Sequence, residues 1–392
     1  MAHELHDLIA AFVVHGDTGD GGVSRLTASA EDKAARDLLA AHMRQRGLSV
    51  SVDPIGNLFG LATLRPSSSA AVLVGSHLDS QPTGGRFDGV YGVLAGLLAV
   101  RDVMERASVA PLAAQRNLVL ANWTNEEGAR FQPSLTGSSV FAGTMNLDAA
   151  LALADGEGIR LGDALAGIGY RGAPQAAFEP LRYVELHVEQ GARLQEAGAE
   201  IGIVEGAWAA RKLSLLFLGE PAHTGPTPMA GRRDALRAGA RAIDLLHAEV
   251  KRSGTGAHAS AARITVFPNS PNVVPSRVRI WFELRHEDDA VCLAIGDRFL
   301  AATKAAALAV GVEVQVAIDD RRGATPLDAP GAEIARQAAA DLGFTTLAMK
   351  SVAGHDAFAL QKRVPSSLIF VPSRDGSKAC SHRRGSRQWS SR

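Results

Sequence analysis

Three short apolar runs, AVLVG (71–75), LVLANW (118–123) and YVELHV (183–188), each lead straight into a polar cluster. Runs of this length, bounded by glycine and charged residues, read as strands buried on both faces. Helical segments are predicted at 31–46 and 89–105, in alternation with the strands. That alternation calls for an open α/β sheet with helices on both faces. In such a sheet, ligands gather outside the carboxyl ends of the strands. GSHLDS (75–80), TNEEGARF (124–131) and HVEQG (187–191), with GGRFDGVYG (84–92) between the first two, are therefore expected to converge.

The stretch 211–320 has a different rhythm. It reads strand (212–218), helix (234–252), strand (263–267), strand (277–284), helix (288–310), strand (312–318). Its first helix sets Leu236, Ala240, Ile243, Leu246 and Val250 at spacings of three and four, a single apolar stripe. The order βαββαβ is the ferredoxin-like plan. After it the α/β pattern resumes, with helices at 331–342 and 355–361 and strands at 345–349 and 367–371. The expectation is a discontinuous catalytic domain, 1–210 and 321–392, interrupted by a lid domain, 211–320. A length of 392 residues accommodates two such domains.

Charge and cysteine content narrow the function. Lys plus Arg and Asp plus Glu both number 41, so the basic excess of a nucleic-acid binder is missing. Two cysteines, Cys292 and Cys380, cannot make a disulfide scaffold or a cysteine-rich zinc site; Cys292, among apolar residues, reads as core. No run approaches the ~20 apolar residues of a membrane span, and no basic stretch precedes the first apolar run as in a signal peptide. A soluble, cytoplasmic protein is expected, with no nucleic-acid or membrane partner.

The converging clusters contain His77, Asp79, Asp88, Glu126, Glu127, His187 and Glu189. Imidazoles and carboxylates without thiolates suit Zn²⁺, Mn²⁺ or a similar divalent ion. A carboxylate bridging two ions ~3.5–4 Å apart is the usual heart of a two-metal hydrolytic site. Each residue also has an ordinary structural reading: a hydrogen-bonding histidine, a solvated glutamate pair, an aspartate in a turn. Composition alone leaves both readings open.

GSHLDSQPTGGRFDGVYGVLAGL, NEEGARF, HVEQG, HTGPTPMAGRRDAL, NVVP, ELRH and GHDA, in that order, resemble the amidase/hydantoinase-carbamoylase branch of the M20 metallopeptidase-like family. That branch includes N-carbamoyl-L-amino-acid hydrolases, allantoate amidohydrolases and β-ureidopropionases. The resemblance runs from near the N-terminus to about residue 376. It implies a homodimeric hydrolase of ureido or carbamoyl carboxylates with two divalent ions, Zn²⁺ or Mn²⁺, with Co²⁺ or Ni²⁺ as further candidates. It makes His77, Asp88, Glu127 and His187 metal ligands, with Asp88 bridging. It makes Glu126 the general base, and Asp79 the residue that holds the His77 ring in its ligating tautomer. Gln190 would line the pocket. His223, Asn272 and Arg285 match substrate-binding positions on the lid, where His223 would also stabilise the oxyanion and Arg285 would clamp a carboxylate. Two rivals are an aminoacylase or dipeptidase on the same scaffold, and a catalytically weakened dimeric binding protein.

The pattern departs from the family after Gly376. Residues 377–392 hold five Ser and four Arg and no acid, where the family has Ser-His followed by an acidic helix. His382 has a Ser-His neighbourhood but lies about three residues late, as a single-nucleotide frameshift just after Gly376 would explain. On that reading the chain holds one ion tightly and the other poorly. His382→Ala is then expected to leave metal content unchanged; a large further loss would make His382 the missing ligand.

Overall fold

The computed structural model describes residues 2–110, 116–174 and 178–373. Cys380, His382 and the divergent residues after Gly376 lie outside the described residues. In chain order the strands used below are β1 (Ser49–Val52), β2 (Leu58–Ala62), β3 (Ala70–His77), β4 (Asn117–Trp123), β5 (Glu179–Val188), β6 (Ile201–Ala207), β7 (Ala209–Leu218), β8 (His258–Phe267), β9 (Arg277–His286), β10 (Glu313–Arg322), β11 (Thr346–Ser351) and β12 (Ser366–Val371). The helices are α1 (Ala2–Val13), α2 (Ala30–Gln45), α3 (Val90–Val109), α4 (Ala235–Ser253), α5 (Asp289–Leu308), α6 (Ala329–Asp341) and α7 (Asp356–Leu360).

The described residues divide into two compact units, one drawn from 2–205, 327–349 and 354–373, the other from 206–326 with 350–353. The second unit is thus wider than the expected 211–320. Its extra margins are tied by main-chain hydrogen bonds, Ala207 N–H to Thr325 O at 2.8 Å and Trp208 N–H to Ser351 O at 2.9 Å.

The first unit is built on an eight-stranded mixed sheet ordered β11-β6-β12-β5-β3-β4-β2-β1. Its central strands β12, β5, β3 and β4 are parallel, with His77 in register with Trp123 and Phe370 with His187. Their carboxyl ends therefore emerge along one edge, as the clusters at the ends of the apolar runs require. Helix α3 follows Asp88–Gly89 immediately and buries Val90, Val93, Leu94, Leu97 and Leu98 at helical spacing. Those side chains join Leu39 and Met43 of α2 in the main core. Gly75 on β3 is dictated by the sheet: a Cβ there would stand 2.0 Å from the Ala121 carbonyl oxygen.

The second unit carries a four-stranded antiparallel sheet ordered β8-β9-β7-β10. The chain order β7-α4-β8-β9-α5-β10 is the βαββαβ plan. Asp234 caps α4 by accepting from Leu236 and Arg237 N–H, and Asp288 caps α5 by accepting from Val291 N–H. Ala238, Ala242 and Leu246 of α4 pack with Phe299 of α5 on Leu215, Phe217, Ile280 and Phe282. Cys292 is buried in a neighbouring cluster, as expected. Among the described residues, no helix is long and apolar enough to cross a membrane.

Candidate active site

His77 ends β3 and His187 stands next to the end of the parallel strand β5. Each residue is only 1% exposed, and each ring offers Nδ1 to a main-chain carbonyl: His77 to Asp79 O at 2.9 Å, His187 to Val188 O at 2.8 Å. Fixing Nδ1–H in this way leaves Nε2 as the basic nitrogen of both rings. Oδ1 of Asp88 lies 3.2 Å from Nε2 of His187. One donor atom from each of His77, Asp88 and His187 falls within 4.8 Å of the other two.

Gly89 makes this packing possible. Its φ of +66° is in the left-handed region, and a Cβ there would lie 2.5 Å from both Cε1 and the carbonyl oxygen of His77. The residue after the candidate bridging aspartate must therefore be bare for the first imidazole to fit.

Glu126 and Glu127 sit on the loop after β4. Asn125, just before them, adopts a φ of +55°, a conformation asparagine tolerates better than most residues. Its side-chain Nδ2 donates to Phe131 O, Pro133 O and Thr136 Oγ1 at 2.7, 3.2 and 2.8 Å. The turn sends the two carboxylates to different neighbours: Glu126 Oε2 lies 3.6 Å from His77 Nε2, and Glu127 Oε2 accepts from Gln81 at 2.9 Å.

Asp79 meets the His77 ring through its main chain, which leaves its carboxylate a second task. The ring of His77 is held by the Asp79 main-chain carbonyl, whereas the carboxylate, 3.8 Å from Nδ1, is beyond hydrogen-bond reach. That carboxylate accepts the main-chain N–H groups of Glu126 and Glu127, each at 3.2 Å, and the Thr27 hydroxyl at 3.0 Å. It fixes the glutamate loop against β3. Gln190 likewise faces a protein partner, donating to Asp88 Oδ2 at 2.8 Å. Glu189 takes no part; it accepts Arg193 and Leu194 N–H at 2.8 and 3.0 Å and so caps the next helical turn.

Three buried residues at this sheet edge were given no role from the sequence: Glu185, His355 and Asp356. Glu185 accepts from Ser76 Oγ and from Ala357 N–H, both at 2.9 Å. A period-two reading back from His187 along β5 reaches it, and the GHDA motif contains the other two.

Crowded carboxylates reshape the site's acidity. Burial, then the charges of Asp356, Glu127, Asp79 and Glu185, hold the Glu126 carboxyl well above its ordinary range. Burial and the Asp88 charge push Glu127 up to about 7. Burial opposes an imidazolium at His187, but the adjoining Asp88 carboxylate outweighs it and lifts the ring to about 9. Glu126, Glu127 and His187 bind protons more readily folded than unfolded, so their contribution to metal-free stability is full below about pH 4.5 and is lost as pH rises towards 9. Thermal melts of the chelator-treated chain at pH 5, 7 and 9 (roughly spanning these groups) are expected to show a falling Tm; a Tm that rises with pH would contradict it.

The residues suit divalent ions. Among the described residues, Oδ1 of Asp88 and Oε1 of Glu127 are buried and accept no hydrogen bond. Two such oxygens beside two imidazoles, whose Nε2 atoms face Glu126 on His77 and Asp88 and the Gly89 N–H (3.3 Å) on His187, form a cation-seeking set.

His223, Asn272 and Arg285 belong to the second unit. A two-residue antiparallel pairing sets His223 opposite Val273, and Thr224 N–H donates to Asn272 O at 3.1 Å. Both side chains are exposed. Arg285 is carried by a different element, β9. Its Nε and Nη2 donate to Glu283 Oε1 at 2.9 and 2.6 Å, and its Nη1 donates to Val352 O.

Comparison with known proteins gives the family. The model of peptidase family M20/M25/M40 matches residues 73–385. The chain belongs to this family. The M20 chain is 37% identical over 370 residues to an N-carbamoyl-L-amino acid amidohydrolase of Geobacillus stearothermophilus, covering 92% of this chain and 88% of that one. It is 31% identical to an allantoate amidohydrolase of Bacillus subtilis, covering 96% and 91%. A crystal structure of an amidase of the hydantoinase/carbamoylase family from Burkholderia vietnamiensis superposes with a TM-score of 0.92 at 37% identity, over 97% of this chain and 91% of that one. The M20 chain is thus a hydrolase of amide bonds.

Proposed function

We propose that this M20 hydrolase uses two divalent ions, Zn²⁺ or Mn²⁺, to cleave the C–N bond of a ureido group on a small carboxylate. The observation that carries the metal reading is the buried trio His77, Asp88 and His187, with both Nδ1 atoms tied to main-chain carbonyls. Asp88 would bridge, with Glu127 on the second ion. When bound, the ions would lower the pKa of a water and polarise the ureido carbonyl. Glu126, with Oε2 3.6 Å from His77 Nε2, takes the proton as the water oxygen attacks the carbonyl carbon. It then returns the proton to the leaving nitrogen as the C–N bond breaks. His223, on the lid, donates to the developing oxyanion, and Asn272 holds the ureido group. The lid would also mediate a homodimer, which sedimentation would reveal.

Arg285 would bind the substrate carboxylate with the N–H groups not taken by Glu283 and Val352. Arg285→Ala is expected to lower kcat/KM by ~10²-fold, through loss of roughly 1.5–3 kcal/mol of charge-assisted bonding. Unchanged kinetics on a carboxylate substrate would remove Arg285 from the site.

Ammonia release from an N-carbamoyl-L-amino acid, allantoate and ureidopropionate tests the whole reading. Turnover of at least one is expected. Activity on N-acyl amino acids or dipeptides alone would assign the site to an aminoacylase or dipeptidase instead.

A further inference from the structure

A second set of donors lies behind the first. Glu185 precedes His187 by two residues on β5 and shares its face. His355, at the start of α7, brings its ring edge-on to His187, with centroids 4.4 Å apart and planes at 62°. One donor atom from each of Glu185, His187 and His355 lies within 4.8 Å of the other two, and all three residues are buried. Phe370 and Phe358 flank His355, with ring centroids at 5.2 and 6.2 Å. The Ser76 hydroxyl and Ala357 N–H orient the Glu185 carboxylate with neutral hydrogen bonds. Each oxygen retains a lone pair for a further partner.

We propose that Glu185, His187 and His355 form an inner position for a divalent ion such as Zn²⁺ or Co²⁺. Two imidazoles and one carboxylate, buried beside the rings of Phe358 and Phe370, are a donor set such ions accept. Since Nδ1 of His187 is committed to Val188 O, Nε2 serves either trio, and one His187 serves one ion at a time. The inner position and the His77–Asp88–His187 position are therefore mutually exclusive. The pocket offers an ion two places that differ in which neighbours His187 joins, and the inner one retains an ion that Asp88 has released. This rests on the geometry of the three residues and not on the choice of substrate.

The full chain tests it. A His77→Ala/Asp88→Ala variant lacks the outer trio, and Zn²⁺ titration against a chromophoric chelator is expected to find one ion per chain still bound. Adding His355→Ala is expected to weaken that ion by about tenfold or more. Replacing it with His355→Cys and loading Co²⁺ is expected to give a thiolate-to-cobalt charge-transfer band. That band requires residue 355 to touch the ion, so a purely structural histidine could not produce it. Circular dichroism checks folding, and if the triple variant does not fold, His77→Ala/His355→Cys gives the same readout. Ion affinity indifferent to residue 355, or a folded, cobalt-loaded cysteine variant without the band, overturns the inner position. If the wild-type chain holds ions but the double variant holds none, only the inner position falls; a wild-type chain that holds no ion overturns the two-metal hydrolase reading as well.

Discussion

Glu126→Gln is expected to lower kcat by ~10²–10⁴-fold, the range for losing a general base, while the chain keeps its metal. The amide preserves the shape of the side chain and its position on the loop, because that position is set elsewhere. Asn125 supplies the turn, and the Asp79 carboxylate holds the two main-chain N–H groups that follow. What disappears is an oxygen able to take a proton. Elemental analysis alongside single-turnover kinetics separates the two consequences. Loss of metal in this variant, with activity falling in proportion, would exchange the roles of Glu126 and Glu127.

Gly89→Ala is expected to weaken metal binding by at least the ~10–100-fold seen when the support of a ligand is removed. Two costs add. An alanine at φ +66° is strained by the backbone alone, and its Cβ would collide with the His77 ring and carbonyl at 2.5 Å. The carbonyl cannot swing away, because β3 is fixed between β4 and β5. Gly143→Ala provides the control: its φ is +76°, with nothing within 4 Å of the added carbon. It should lose some stability and no metal. Equal metal affinities in the two alanine variants would show that the collision at His77 does not matter.

The central strands were legible because a strand buried on both faces writes itself as an unbroken apolar run. His77, Asp88, Glu126, Glu127 and His187 followed from where those runs stop. What a carboxylate does once there was harder to read. Asp79 and Glu189 look alike in sequence, yet one anchors the glutamate loop and the other caps a helical turn. Their tasks depend on which N–H groups the fold brings within reach. Gln190, expected to line the pocket, donates to Asp88; what a glutamine next to a ligand bonds to is not written in the sequence until the backbone is known. Glu185 was hidden within a run read as apolar, since a single buried acid hardly disturbs hydrophobic periodicity. The edges of the second unit differ from the expected ones by a few residues because Ala207 and Trp208 are tied to Thr325 and Ser351 by main-chain bonds, which leave no trace in side-chain pattern.

The strand order has a consequence for how the chain matures. β12 is the last strand used here to be synthesised, yet it inserts between β6 and β5. Until the ribosome has released it, β5 has an unpaired flank carrying His187, and the sheet exists as two separate fragments. Non-local pairing of this kind delays closure and leaves apolar strand edges open to neighbouring nascent chains. Production of this protein should therefore depend more on synthesis rate and on chaperones that shield strand edges than the stability of the finished sheet would suggest.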